Sequence, residues 1–312
     1  MYQEAFNRGV AKSMSILVLG TVALDSVTTP QGTRRGMLGG SAVHFSMSAR
    51  LFTPVHLVAV VGRDFPGEHI SFLRRKGVKL DSLCVAEGLT FAWDGKYEGD
   101  MNAAITLDTR LGVLATFSPV LAPPQKKLDC VFLANVDPDI QHALLDSLGR
   151  ARLVGLDSMN YWIHSKRASL LKLLKKVTLY VANDQEARDL SGERNLIKAA
   201  RALCAMGPSM VLVKKGEHGA FLLSKDFMAQ VPAYPVDSVV DPTGAGDTFA
   251  GACMGYLAKA KKIDQACVKK AIAYGTVAAS FNVEGFGVEK TARLCKADLD
   301  KRFVALRATV AF

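Results

Sequence analysis

The chain has 312 residues, 49% of them apolar and 22% charged, which excludes a disordered chain too poor in apolar surface to offset its entropy. No apolar run approaches the roughly 20 residues that cross a bilayer, so a soluble chain with no membrane partner is expected. The formal charge of +10 favours anionic partners, but the basic pairs, such as Lys166-Arg167 and Lys269-Lys270, are scattered, which reads as a solvated surface and argues against a nucleic-acid partner.

Residues 1–13 are polar and lack the apolar centre of a signal peptide; they are expected to form a disordered extension ahead of a domain spanning 14–312. Six widely spaced cysteines without a C-x-x-C pair predict buried, reduced thiols in a cytoplasmic protein. Residues 15–19 read as a strand, 40–51 as a helix, 55–61 as a strand and 65–76 as a helix closed by Gly77. Two segments then break the rhythm. Residues 26–38 lack a helical pattern, and 89–116 alternate with period two around Asp94-Gly95, a pair that predicts a tight hairpin turn with Phe91 and Trp93 before it and Tyr97 beyond. These segments are expected to stand off the main sheet as a small β-sheet lid. Further on, 130–134 reads as a buried strand, and Asp137-Pro138 as an N-cap with proline in the first turn. Strands at 153–156, 178–182 and 210–213 alternate with helices at 166–176 and 195–206. The fold class is α/β, with a mainly parallel sheet covered on both faces.

Residues 239–251, V-V-D-P-T-G-A-G-D-T-F-A-G, carry the chemistry. Gly244 and Gly246 permit dihedrals that expose successive N–H groups, and the helical run 249–257 places the turn at a helix N-terminus, where anions are favoured. A carboxylate at Asp247, inside that anion site, suits a base that takes a proton from a hydroxyl attacking phosphorus. An Asp N-cap after a Gly-rich turn would explain a lone G-x-G; it explains the full D-P-T-G-A-G-D-T-F run much less well.

That run resembles the second signature of the ribokinase-like, or PfkB, family of carbohydrate and nucleoside kinases. Gly20-Thr21-Val22-Ala23-Leu24-Asp25, Gly39-Gly40, Asn183-Asp184-Gln185-Glu186 and Lys215-Gly216-Glu217-His218-Gly219 follow the family's order and spacing, from about residue 15 to 287. Singly, each is a turn, a loop or a hairpin; together they are similar to one family. The resemblance implies a three-layer α/β/α core, a lid, and transfer of a phosphoryl group from ATP to a hydroxyl of a small sugar or sugar derivative, with nucleosides as the alternative acceptors. It implies Asp247 as catalytic base and the N–H groups of Gly244, Ala245 and Gly246 as an anion hole. Asp25, Gly39 and Gly40 would bind substrate. Asn183, Lys215, Gly216, Gly219 and Asn282 would bind ATP, and Glu186 would place Mg²⁺ through water. Asp241 and Thr243, with the 285–287 loop, match a region that binds K⁺ in relatives. His44 stands where many sugar kinases carry asparagine, and reads equally as a hydroxyl contact or a buried structural histidine. A homodimer through the lid is a further expectation. The chain has neither G-x-x-x-x-G-K-[ST] nor, after its first strand, G-x-G-x-x-G, so a P-loop NTPase and a dinucleotide oxidoreductase are disfavoured.

Overall fold

Alternate residues of β1 (Ile16–Leu19) serve two different cores: Ile16 and Val18 pack into one, Leu17 and Leu19 into the other. This follows from the period of two along a strand covered on both faces. The computed structural model describes residues 15–310; the expected extension 1–13 lies outside them.

Eight further strands complete the large sheet: β4 (Val55–Gly62), β5 (Lys79–Ala86), β8 (Cys130–Leu133), β9 (Leu153–Asp157), β10 (Leu179–Asn183), β11 (Met210–Lys214), β12 (Ala220–Ser224) and β13 (Met228–Val231). Their order is β13-β12-β11-β10-β9-β8-β1-β4-β5. All pairings are parallel except β11–β12 and β12–β13. One face is covered by α1 (Ser41–Ala49), α2 (Gly67–Arg75), α8 (Ala245–Ala258), α9 (Gln265–Asn282) and α10 (Lys296–Val310). The other carries α3 (Pro138–Ser147), α4 (Asn160–Ser165), α5 (Arg167–Leu174), α6 (Asp184–Ser191) and α7 (Leu196–Ala205). This is the expected three-layer core. Strand order reverses at β1, whose neighbours are β4 and β8; in open α/β sheets ligands bind at the carboxyl ends beside such a reversal.

The lid is a separate four-stranded sheet, ordered β3-β2-β6-β7 from β2 (Ala23–Thr29), β3 (Gly32–Gly39), β6 (Ala92–Tyr97) and β7 (Ala104–Arg110). Its hairpin is not where the sequence placed it. Asp94 and Gly95 lie inside β6, paired with Asp108 and Thr106 across a bulge, and the chain reverses between Tyr97 and Ala104. A Cβ on Gly95 would meet the Trp93 ring at 2.2 Å, so this glycine makes room for an indole and forms no turn. The positive φ of the reversal falls on Gly99 and Met101. Of the cysteines, only Cys130 and Cys253 are buried, and Cys84 and Cys295 are exposed; surface thiols escape a pattern based on spacing. No described helix is long and apolar enough to cross a membrane.

Candidate active site

Two helix N-termini meet at the carboxyl end of the large sheet, that of α1 beside the ends of β1 and β8, and that of α8 against His44 of α1 and Lys214 of β11. The first belongs to α1. Thr21 and Ser41 bind each other reciprocally: Ser41 N–H donates to Thr21 Oγ1 (2.8 Å) and Thr21 N–H to Ser41 Oγ (3.1 Å). Gly40 caps the helix at φ 96°, and a side chain there would meet the Thr21 carbonyl at 2.5 Å. The Gly40 N–H donates to Asp25 Oδ2 (3.1 Å), which leaves Oδ1 buried without a partner. Burial, with Asp241 as a nearby like charge, raises the Asp25 pKa to about 7 even against the Gly40 hydrogen bond. Asp25 therefore comes from the lid strand β2, two residues beyond its start, and Gly39 ends β3. The structure brings these three predicted residues together.

The second N-terminus is that of α8. Gly244 precedes it at φ 72°, with no room for a side chain: a Cβ would overlap the His44 ring at 2.2 Å. The N–H of Ala245 donates to the Pro242 carbonyl (3.1 Å), closing the turn. That corrects the expected donor set, since the N–H groups lacking an acceptor among the described residues are those of Gly244, Gly246 and Asp247. Asp241, fully buried, holds the turn from behind. Its Oδ1 accepts from Thr243 N–H (2.9 Å) and its Oδ2 from Gly287 N–H (2.9 Å), tying the turn to the 285–287 loop.

Asn282 departs from the expectation. It is 1% exposed, and its amide is spent on the turn: Nδ2 donates to the Thr243 carbonyl (2.8 Å), while Oδ1 accepts from Thr248 Oγ1 (2.9 Å) and lies 3.2 Å from His44 Nδ1. These bonds orient the amide and make His44 Nδ1 the donor. Burial lowers the His44 pKa, keeping the ring neutral. Both residues therefore buttress the Thr243–Gly244 turn from inside the core. The Asn282 amide is fully engaged, whereas His44 is engaged through Nδ1 alone and its Nε2 is buried without a partner among the described residues.

A cluster of ionisable groups occupies the ends of β9, β10 and β11. Asn183 and Glu186 form a reciprocal capping box at the start of α6, each side chain accepting the other's N–H at 2.8 Å. Burial, then Asp157, raise the Glu186 pKa to about 8; the same two causes, in that order, bring Asp247 to about 8. Sequence reasoning missed Asp157 and Lys214, whose buried ion pair spans 2.9 Å. The available signal was positional, a charged residue ending each of two apolar strands, L-V-G-L-D and M-V-L-V-K. Lys215 was singled out instead. It lies one residue along, heading a 3₁₀ turn in which Gly216 and Gly219 shape the β11–β12 hairpin.

Of the three lid aromatics, only Tyr97 reaches this site, its hydroxyl 3.4 Å from Thr243 Oγ1. Phe91 packs against the core, and Trp93 donates to Thr106 within the lid (3.1 Å).

The sequence profile of the pfkB family carbohydrate kinases matches residues 19–293. A cytidine kinase of Thermococcus kodakarensis is 28% identical over 82% of this chain and 92% of its own length. A ribokinase of Bacillus subtilis is 25% identical, covering 88% and 94% respectively. The fold is similar to the crystal structure of the Methanocaldococcus jannaschii nucleoside kinase, with a TM-score of 0.74 and 19% identity over 94% of this chain and 99% of that one.

Proposed function

From the pfkB carbohydrate kinase family, to which this chain belongs, we propose a specific reaction: transfer of the γ-phosphoryl group of ATP to a hydroxyl of a small sugar or sugar derivative, with Asp247 as general base. The chain is a sugar or nucleoside kinase, a phosphotransferase with a hydroxyl acceptor. The observation that carries the assignment is Asp247 on the first turn of α8, beside the unspent N–H groups of Gly244 and Gly246. The orphaned Asp25 Oδ1 would accept a hydrogen bond from an acceptor hydroxyl, and the Asp247 carboxylate would take the proton of the hydroxyl that attacks. The N–H groups of Gly244, Gly246 and Asp247, with the helix dipole, would meet charge growing on the transferred group. The lid would keep water out, and with it wasteful hydrolysis.

Among the described residues no three His, Cys, Asp or Glu side chains cluster as a metal cage. Glu186 and Asn183, bonded to each other at the start of α6, would orient water on a Mg²⁺ that arrives with the nucleotide. When bound, Mg²⁺ supplies charge neutralisation on the phosphates. Asp241 draws the Thr243 turn and the 285–287 loop together, which supports a K⁺ site among their carbonyls. A second copy of the chain would cover the open edge of the lid.

Nucleosides are the second reading, favoured by the near full-length similarity to a cytidine kinase. A panel of sugars, sugar phosphates and nucleosides assayed with Mg-ATP tests both. Turnover of a sugar is expected; turnover of nucleosides alone would reverse the order, and no turnover in the panel would sink both. Titrating Mg²⁺ against Glu186→Gln, and replacing K⁺ by tetramethylammonium, read the two cation assignments in the same assay. An unchanged Mg²⁺ midpoint, or equal rates in the two salts, would overturn the respective assignment.

A further inference from the structure

We propose that Lys214 is a catalytic residue whose ammonium contacts an oxygen of the transferring phosphoryl group, and that Asp157 is the positioning residue that aims it. This rests on the anion-turn reading given above. Strand parity fixes the direction. Met210 and Leu212 face the core shared with α8, Val211 and Val213 the opposite one, so Lys214 continues the α8 side and Lys215 does not. The ammonium ends against the anion turn, where a Cβ on Gly246 would lie 2.9 Å from Nζ. A lysine ammonium has three donors. One is spent on Asp157 Oδ2 (2.9 Å), and no other acceptor stands within reach among the described residues. The side chain is only 16% exposed, so water does not readily satisfy the rest.

A purely structural ion pair explains this placement poorly. The N-terminus of α8 carries the positive end of its dipole, and Lys214 presents a second positive charge to it. Burial alone would depress the lysine's pKa, but Asp157, Glu186 and Asp247 together outweigh it and leave it raised, so the charge is kept. The ammonium and the α8 N-terminus converge at the point where Gly246 has no side chain, and although Asp157, Glu186 and Asp247 all favour the lysine's charge, only Asp157 accepts a hydrogen bond from it. An oxygen of a transferring phosphoryl group placed between them would accept from an unspent ammonium donor and from the N–H groups of the turn together. Asp157 supplies one hydrogen bond and a fixed direction.

The test measures kcat together with equilibrium affinities for Mg-ATP and Mg-ADP in Lys214→Met, which keeps the stem and removes the charge. The expected result is a fall in kcat of about 10²–10³-fold, the effect of losing one preorganised donor to a transition state. ATP affinity should fall while ADP affinity, lacking the transferred group, stays. Lys214→Arg should recover part of the rate, and Asp157→Asn should lower kcat less than Lys214→Met. Should Lys214→Met fail to fold around an unpaired Asp157, the Lys214→Met/Asp157→Asn double variant removes the whole pair and is read in its place. An unimpaired kcat in a folded variant, or equal losses of ATP and ADP affinity, would overturn the assignment while leaving the kinase reading intact. A parent protein that binds no nucleotide would overturn both.

Discussion

In the proposed base role, Asp247 would answer two opposed demands with one carboxyl group. As a base it must be ionised, and with its pKa raised to about 8, by burial first and Asp157 second, kcat/KM is expected to rise with pH towards that value. For stability the sign is reversed. A carboxyl whose folded-state pKa lies above its ordinary 3.8 holds its proton more tightly when folded. Its contribution is therefore full at low pH, declines as pH rises above 3.8, and is lost through about 8. Asparagine does not titrate. Asp247→Asn should lose roughly 10²–10⁴-fold in kcat. It should also melt above the parent by a margin that widens up to about pH 8, on the scale of about 2–4 °C per ~1 kcal/mol for a large domain. A variant that keeps its turnover would remove Asp247 from the base role; a margin that narrows with pH would contradict the shift.

The lid strand β7 is exposed along all of its residues, and beyond its pairing with β6 its other edge is open. Ile105 and Leu107, 45% and 56% exposed, lie on it, with Leu111 following at 47%. An edge strand with unpaired N–H and C=O groups and exposed apolar side chains is a template for a second strand, and proteins that leave one uncovered risk open-ended association. A second copy of the same lid would end that exposure by closed pairing. Ile105→Lys/Leu107→Lys, which places charge on the edge without touching the anion turn, is expected to convert a dimer to a monomer in sedimentation velocity. A parent already monomeric, or a variant that stays dimeric, would count against the interface. Helix α1 stacks Phe45 on Phe132 of β8 (4.5 Å between centroids), and Ser48 Oγ donates to the Thr248 carbonyl of α8 (2.7 Å), which fixes the two helix N-termini of the site to one frame.

At the scale of the molecule, what was legible in the chain was what neighbours along it decide. Buried strands such as I-L-V-L and C-V-F-L, the Asp137-Pro138 helix start, and the D-P-T-G-A-G-D turn are local patterns, and each stands where its residues placed it. What escaped was decided by partners far away. Asp94-Gly95 has turn chemistry, but pairing with Ser26 and Val27 of β2 on one side and Asp108 and Thr106 of β7 on the other holds it inside a strand. Lys214 and Asp157 meet across 57 positions, and Asn282 is claimed by Thr243, Thr248 and His44. The route of the chain from β1 into β2 has one further consequence. Asp25 rides on the lid while its hydrogen-bond donor Gly40 belongs to α1, and the lid is latched to the core by Tyr97 on Thr243 and by Arg34 stacked 4.8 Å over Phe286. In the proposed reading, an acceptor hydroxyl gripped by Asp25 would add its own binding energy to the latch, and a nucleotide at the Thr243 turn would share in it. The two substrates should bind with positive cooperativity, each raising the other's affinity by one and the same factor. That factor, measured by titrating the acceptor with and without a non-hydrolysable ATP analogue, should shrink towards unity in Arg34→Ala; independent binding in the parent would show that the lid closes on neither.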